Sequence, residues 1–134
     1  MRGGTLHPET VMEAARAAAS QAYAPYSNFY VGAAILTKGG IIHSGSNVEN
    51  ASYGLSICAE RTAATAMASA DPDDREIDLV AVFSPNASPC FPCGACRQVL
   101  REFGCKEVVV EDGGGLRRYP FEQILPNSFG PENL

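Results

Sequence analysis

Apolar positions along the first third of the chain change period once. Val11, Ala15, Ala18 and Ala22 recur at spacings of four, three and four, the repeat of one helix face, in a stretch opened by His7-Pro8-Glu9 and closed by Pro25. From Phe29 to Leu36 the residues are largely apolar, Gly39-Gly40 supplies a turn, and Ile41-Ile42 begins a return, so a hairpin is predicted. Residues 45 to 56 lose the periodicity and are rich in hydrogen-bonding side chains, as expected of a loop that meets a small molecule.

With Ser56 as N-cap, a helix is predicted from about Ile57 to Ala70, its alanines allowing close packing on a sheet, and Asp71-Pro72-Asp73-Asp74 ends it. Ile77 to Phe83 is a nearly continuous apolar run, the mark of a strand covered on both faces. A second helix is predicted from about Cys93 to Phe103, with Val99, Leu100 and Phe103 inward and Gly104 as C-cap. Val108 to Val110 form the next strand, and Gly113-Gly114-Gly115 a turn. The order helix, hairpin, helix, strand, helix, strand predicts an α/β fold with three layers, α/β/α, around a mixed sheet of about five strands.

Composition narrows the class of protein. At 134 residues, with no repeat, linker or low-complexity segment, the chain reads as a single domain, 1–134, able to bury roughly two-thirds of its unfolded surface. A net charge of −5 and no basic run beyond Arg117-Arg118 argue against gripping a nucleic acid, whose phosphates reward clustered positive charge, and favour a small neutral substrate. No stretch approaches the roughly 18 apolar residues of a membrane span. With Glu9 and Glu13 where a targeting peptide avoids acids, the expected location is cytoplasmic. Five cysteines, an odd number crowded into the middle, fit a reducing compartment and metal binding better than a disulfide framework.

Those cysteines carry the chemistry. Cys90-Phe91-Pro92-Cys93-Gly94-Ala95-Cys96 contains two overlapping C-x-x-C pairs. Proline is favoured at the start of a helix and disfavoured inside one, so Pro92 points to Cys93 and Cys96 as a pair on one helical turn. The pair Cys90/Cys93 would instead need a loop clamp with Pro92 inside it. Cys58, two residues before Glu60, falls in the first turn of its own predicted helix, where free N–H groups favour thiolate. A divalent metal on three thiolates keeps one open position, and a carboxylate beside it can move protons, so the pattern reads as a zinc hydrolase.

Zinc with three thiolates carries a formal charge of −1, and a cation donating to sulfur would offset it. Arg61 is the first candidate for that electrostatic support and Arg97 the second. Three other readings remain open: a closed structural site that adds Cys90 as fourth ligand, a thioredoxin-like redox pair, and cysteines that serve merely as small buried hydrophobes. Cys105, His43 and His7 have no motif around them and stay outside the site.

The joined pattern Cys58-Ala59-Glu60 and Pro92-Cys93-Gly94-Ala95-Cys96-Arg97-Gln98 resembles the zinc-dependent cytidine deaminases of the small homotetrameric type. Tyr26-Ser27-Asn28-Phe29, Val31-Gly32-Ala33-Ala34, the run from Asn47 to Gly54 and the run from Leu125 to Gly130 share that likeness, which spans nearly the whole chain. The resemblance implies a cytidine deaminase-like fold and one zinc ion per subunit on Cys58, Cys93 and Cys96, with Glu60 shuttling protons. It also implies that Asn47 and Glu49 bind ribose, that Phe29 stacks on the pyrimidine, and that the backbone around Ala59 reads the base edge. Phe129, and Tyr53 with it, would reach in from a neighbouring subunit of a homotetramer with shared active sites.

The activity implied is hydrolytic deamination of cytidine and 2′-deoxycytidine. Cys90 is a departure, because the family motif does not require it. A deaminase of a modified cytosine nucleoside such as blasticidin S is the alternative enzyme, and a non-catalytic four-cysteine zinc module the alternative from another class.

Overall fold

A computed structural model describes residues 8–134; His7, expected at the opening of the first helix, lies outside the described residues. Helix α1 spans Pro8–Ala19, with Glu9 in its first turn and Arg16 in its last, each matched to the helix dipole. It stops short of Ala22 because the following residues turn away. The Tyr23 N–H donates to Asn47 O, and Glu49 N–H to Tyr23 O, drawing this segment into a bridge with Val48.

The sheet contains β1 (Gly32–Thr37), β2 (Ile42–Ser46), β3 (Ile77–Phe83), β4 (Glu107–Asp112) and β5 (Gly115–Pro120), in the order β2-β1-β3-β4-β5. β1 is antiparallel to both β2 and β3, β3 and β4 are parallel, and β5 returns antiparallel on β4. Strand β1 begins at Gly32 and not at Phe29. Asn28 adopts a left-handed backbone (φ 57°), and the Asn47 side chain takes the Phe29 carbonyl and the Val31 N–H that strand pairing would have used. Gly113 (φ 63°) and Gly114 (φ 88°) make the tight turn into β5.

Alternation along the strands divides the core. Ala34, Leu36, Leu79, Ala81 and Val109 pack beneath Val11, Met12 and Ala15 of α1. On the opposite face Ala33, Ile35, Val80, Val82, Val108 and Val110 meet α2 (Ala59–Ala70), α3 (Gly94–Glu102) and the short α4 (Phe121–Ile124). This gives the expected three layers. Fully buried Met67 alone removes enough apolar surface to stabilise the fold by about 1.5–3 kcal/mol.

Both helix layers approach the sheet closely. A Cβ on Gly32 would stand 2.0 Å from Ala15 O, and one on Gly45 would stand 2.7 Å from Ala63 N, so α1 and α2 each rest on a glycine. Cys105 follows Gly104, which ends α3 with φ +65°, and is buried, its thiol donating to Glu107 O. It is a packed thiol outside the site, in keeping with the absence of any motif around it.

Candidate metal centre

Topology brings two helix starts together. Because β2 and β3 both run antiparallel to β1, they point the same way, and the helices that follow them begin at the same end of the sheet and pack on the same face. That is the end, beyond the carboxyl termini of strands, where α/β folds place their sites. The N-caps of α2 and α3 are Cys58 and Cys93, each extended (ψ 155° and 170°), with Cys96 in the first turn of α3.

Helix α2 starts two residues later than its sequence suggests. Ile57 exchanges two 2.9 Å backbone bonds with Val48, which keeps it extended, and Ser56 is no cap: its hydroxyl accepts the Asn50 N–H. The cap position therefore falls to a cysteine.

The Cys58 and Cys93 sulfurs are 3.9 Å apart, those of Cys93 and Cys96 3.4 Å, and all three lie within 4.8 Å of one another. Thiolates on one tetrahedral zinc ion with Zn–S of about 2.3 Å would stand about 3.8 Å apart, so the donor set fits such an ion. Among the described residues Cys90 is not part of this group. Half-buried, it packs against the core and lines a small recess with Val82, Ser84 and Glu111. A closed four-cysteine site is not what the chain builds.

Arg61 occupies the supporting position. Its Nη2 donates to Cys58 Sγ at 3.4 Å, and the thiolate in turn holds the guanidinium protonated. Its Nε is buried without a hydrogen-bond partner. Arg97, the second candidate, does something else: Nε donates to Pro92 O at 2.7 Å and Nη1 to Ile124 O at 2.6 Å, bracing the loop before α3 against the end of α4. A guanidinium committed to two carbonyls does not serve the sulfurs.

The metal-free electrostatics are those of a site prepared for a cation. Hydrogen bonding from the Cys96 thiol, together with Arg61, lowers the Cys58 thiol to about 5, while Cys96, donating to Cys58 and buried beside Glu60, is raised. Glu60 is only 4% exposed. Burial pushes its carboxyl up to about 7, the negative charge at Cys58 adds to that, and its own backbone N–H, the Cys96 thiol and Arg61 pull the other way. Burial and the Glu60 charge push the Cys90 thiol up to about 11, leaving it protonated at neutral pH.

Beside this corner the loop between β2 and α2 forms a rim. The Val48–Ile57 bridge sets Asn47 and Glu49 on either side of a residue paired one step before Cys58. Asn47 Nδ2 donates to Phe29 O and its Oδ1 accepts from Val31 N–H, both at 2.8 Å, fixing the segment that presents the Phe29 ring. A recess of about 300 Å³ is lined by Tyr26, Ser27, Glu49, Asn50, Tyr53 and Ser56. Tyr53 packs on Tyr26 at 6.2 Å between ring centres yet remains 76% exposed.

Phe129 is tied by its carbonyl to Gln98 of α3 and keeps 59% of its surface exposed, apart from the rim's own hydrogen-bond network. Tyr26, Ser27, Asn50 and Ser56 were not singled out as site residues from the sequence. The available signal was Ser27, two residues before Phe29, the spacing at which a serine hydroxyl accepts a backbone N–H.

Residues 6–112 match the family described as the cytidine and deoxycytidylate deaminase zinc-binding region. The cytidine deaminase of Halalkalibacterium halodurans is 42% identical over 116 residues, covering 84% of this chain and 86% of that protein. That of Mycobacterium tuberculosis is 43% identical over 117 residues, 87% of this chain and 85% of that protein. The crystal structure of cytidine deaminase from Burkholderia pseudomallei matches with a TM-score of 0.82 and 45% identity, over 92% of this chain and all of that one. The α/β fold around a mixed five-stranded sheet is therefore shared.

Proposed function

The chain belongs to the zinc-binding cytidine and deoxycytidylate deaminases, and on that premise we propose that it hydrolyses cytidine and 2′-deoxycytidine to uridine and 2′-deoxyuridine, releasing ammonia. Residues 1–134 act as one catalytic domain. The observation that carries the reading is the buried Glu60 carboxyl in the first turn of α2, two residues beyond Cys58 of the three-thiol cluster.

Cys58, Cys93 and Cys96 would hold the zinc ion, one per subunit, and the ion would supply a water acidified enough to attack carbon. Glu60 is placed to accept a proton from the attacking water and give it to ring N3, then to accept the second proton, from the hydroxyl formed at C4, and give it to the amine as the C4–N bond breaks. A carboxyl held beside the reacting groups can both accept and return a proton. Arg61 offsets the negative charge of the thiolates. Asn47 and Glu49 bind the ribose, Phe29 stacks on the pyrimidine, and the backbone around Ala59 reads the base edge.

Tyr53 and Phe129, both left uncovered in a single chain, reach into a neighbouring subunit's site in a homotetramer. Leu55, Ile57 and Val48 are exposed beside the rim and support burial against a second copy. No helix among the described residues is long and apolar enough to cross a membrane, and the cytoplasm is the proposed location.

A UV assay of cytidine loss, run beside zinc quantification and a light-scattering mass, tests the whole reading. Expected are one zinc per subunit, a tetramer, and cytidine consumed faster than blasticidin S. Zinc-loaded protein that leaves cytidine intact would overturn it.

A further inference from the structure

Glu49 sits on an exposed loop, yet three donors from one dipeptide hold its carboxylate. Oε1 accepts the Tyr26 N–H at 3.0 Å and the Ser27 N–H at 3.2 Å, and Oε2 accepts the Ser27 hydroxyl. The same hydroxyl oxygen accepts the Phe29 N–H at 3.0 Å. Asn28, between the two, is in the left-handed region, so the chain reverses tightly around Ser27.

One side chain therefore joins a carboxylate on the β2–α2 loop to the backbone that carries an aromatic ring. A carboxylate offers about four acceptor positions. Among the described residues three are filled, both on Oε1 and one on Oε2, which leaves the fourth on Oε2, beside the recess that Ser27 and Glu49 line together.

We propose that Ser27 is a positioning residue that aims the one free acceptor of Glu49 at a sugar hydroxyl while fixing Phe29 for the base. This rests on the reading in which Glu49 binds ribose and Phe29 stacks on the pyrimidine. Ser27 itself touches neither reacting atom nor metal. Losing its hydroxyl leaves Oε1 on its two N–H donors but releases Oε2 and the Phe29 N–H, so the damage falls on substrate binding and spares proton transfer.

Steady-state kinetics on the zinc-loaded protein test this. Ser27→Ala is expected to keep one zinc per subunit and a near-normal kcat while raising KM for cytidine about tenfold, the scale of a hydrogen bond to a charged group. Ser27→Thr, which keeps the hydroxyl, should recover most of that loss. In a Glu49→Gln background Ser27→Ala should add little further, because the two act as one unit.

An unchanged KM in Ser27→Ala, a Thr variant as impaired as the Ala one, or the full rise repeated in the Glu49→Gln background would each overturn the proposal. Loss of zinc or of the fold in Ser27→Ala would do so too, by making the residue structural. Glu49→Gln with an unaltered KM is a separate result: it removes the sugar-binding reading itself, and the proposal with it.

Discussion

Cys58, Glu60, Cys93 and Cys96 take their positions from two helix starts, whereas Phe29, Asn47, Glu49 and Tyr53 take theirs from loops tied by side-chain-to-backbone bonds. The first set is placed by sheet topology: as long as β2 and β3 run in the same direction, their helices converge. The second is placed by individual hydrogen bonds, each removable by one substitution. The difference teaches where tolerance lies. Changes in the corner should act on metal content or turnover, and changes in the rim on substrate affinity.

The largest effect should follow from removing a sulfur. Cys58→Ala is expected to lose zinc and activity together, with a lower melting temperature, since bound metal at about 1,000 times its Kd stabilises by about 4 kcal/mol. Cys90→Ala should change neither zinc stoichiometry nor activity. Should Cys90→Ala abolish metal binding, the three-thiol corner would be wrong.

Next in size is Glu60→Gln, expected to retain zinc and fold but to lower kcat by about 10³-fold, within the usual reach of general acid–base groups. A near-normal rate would remove Glu60 from the chemistry.

The metal-free protein gives a third contrast. Glu60 is raised from 4.5 to about 7 in the fold, so the folded chain holds that proton more tightly than the unfolded one. Its contribution to stability is fully present below pH 4.5 and is lost as the pH rises through 7. Metal-stripped Glu60→Gln should therefore match the parent near pH 4.5 and exceed it by about 3 kcal/mol above pH 7, read from denaturant melts at both. Cys58, lowered to about 5, favours the fold in the opposite sense as pH rises, but both proteins carry it.

The smallest effect in the corner is that of Arg61→Ala. Loss of the N–H···S bond should weaken zinc affinity about 10–100-fold, the usual scale for groups supporting a metal ligand. Competition with a zinc-binding dye measures it, with Arg97→Ala, whose partners are carbonyls, as the comparison.

The metal trio was legible in the sequence because its information is local: a proline, a C-x-x-C spacing, and a carboxylate two residues beyond a cysteine. Strand β3 was equally legible, since a strand buried on both faces writes itself as an unbroken apolar run. What was misread depends on partners distant in sequence. Ile57 reads as helical until Val48 is known to hold it extended, and Phe29 reads as strand until Asn47 claims its carbonyl. Strand β5 was not delimited because it is an exposed edge, where only Leu116 and Tyr119 turn partly inward. Arg61 and Arg97 are indistinguishable by type; only position separates a ligand's neighbour from a loop brace. For the rim, residue roles came from family likeness alone, because hydrogen bonds between loops leave no periodic trace.

The convergence of two helix starts also has a consequence in time. Cys58 and Cys93 are 35 residues apart, on the segments that precede and follow β3, so no local stretch of a refolding chain presents all three sulfurs together. High-affinity capture must wait until α2 and α3 are both laid on the sheet, among the non-local events that fold slowly. In stopped-flow refolding with a zinc-sensitive dye, metal uptake should lag the helical signal; uptake as early as helix formation would mean that the corner assembles before the sheet beneath it.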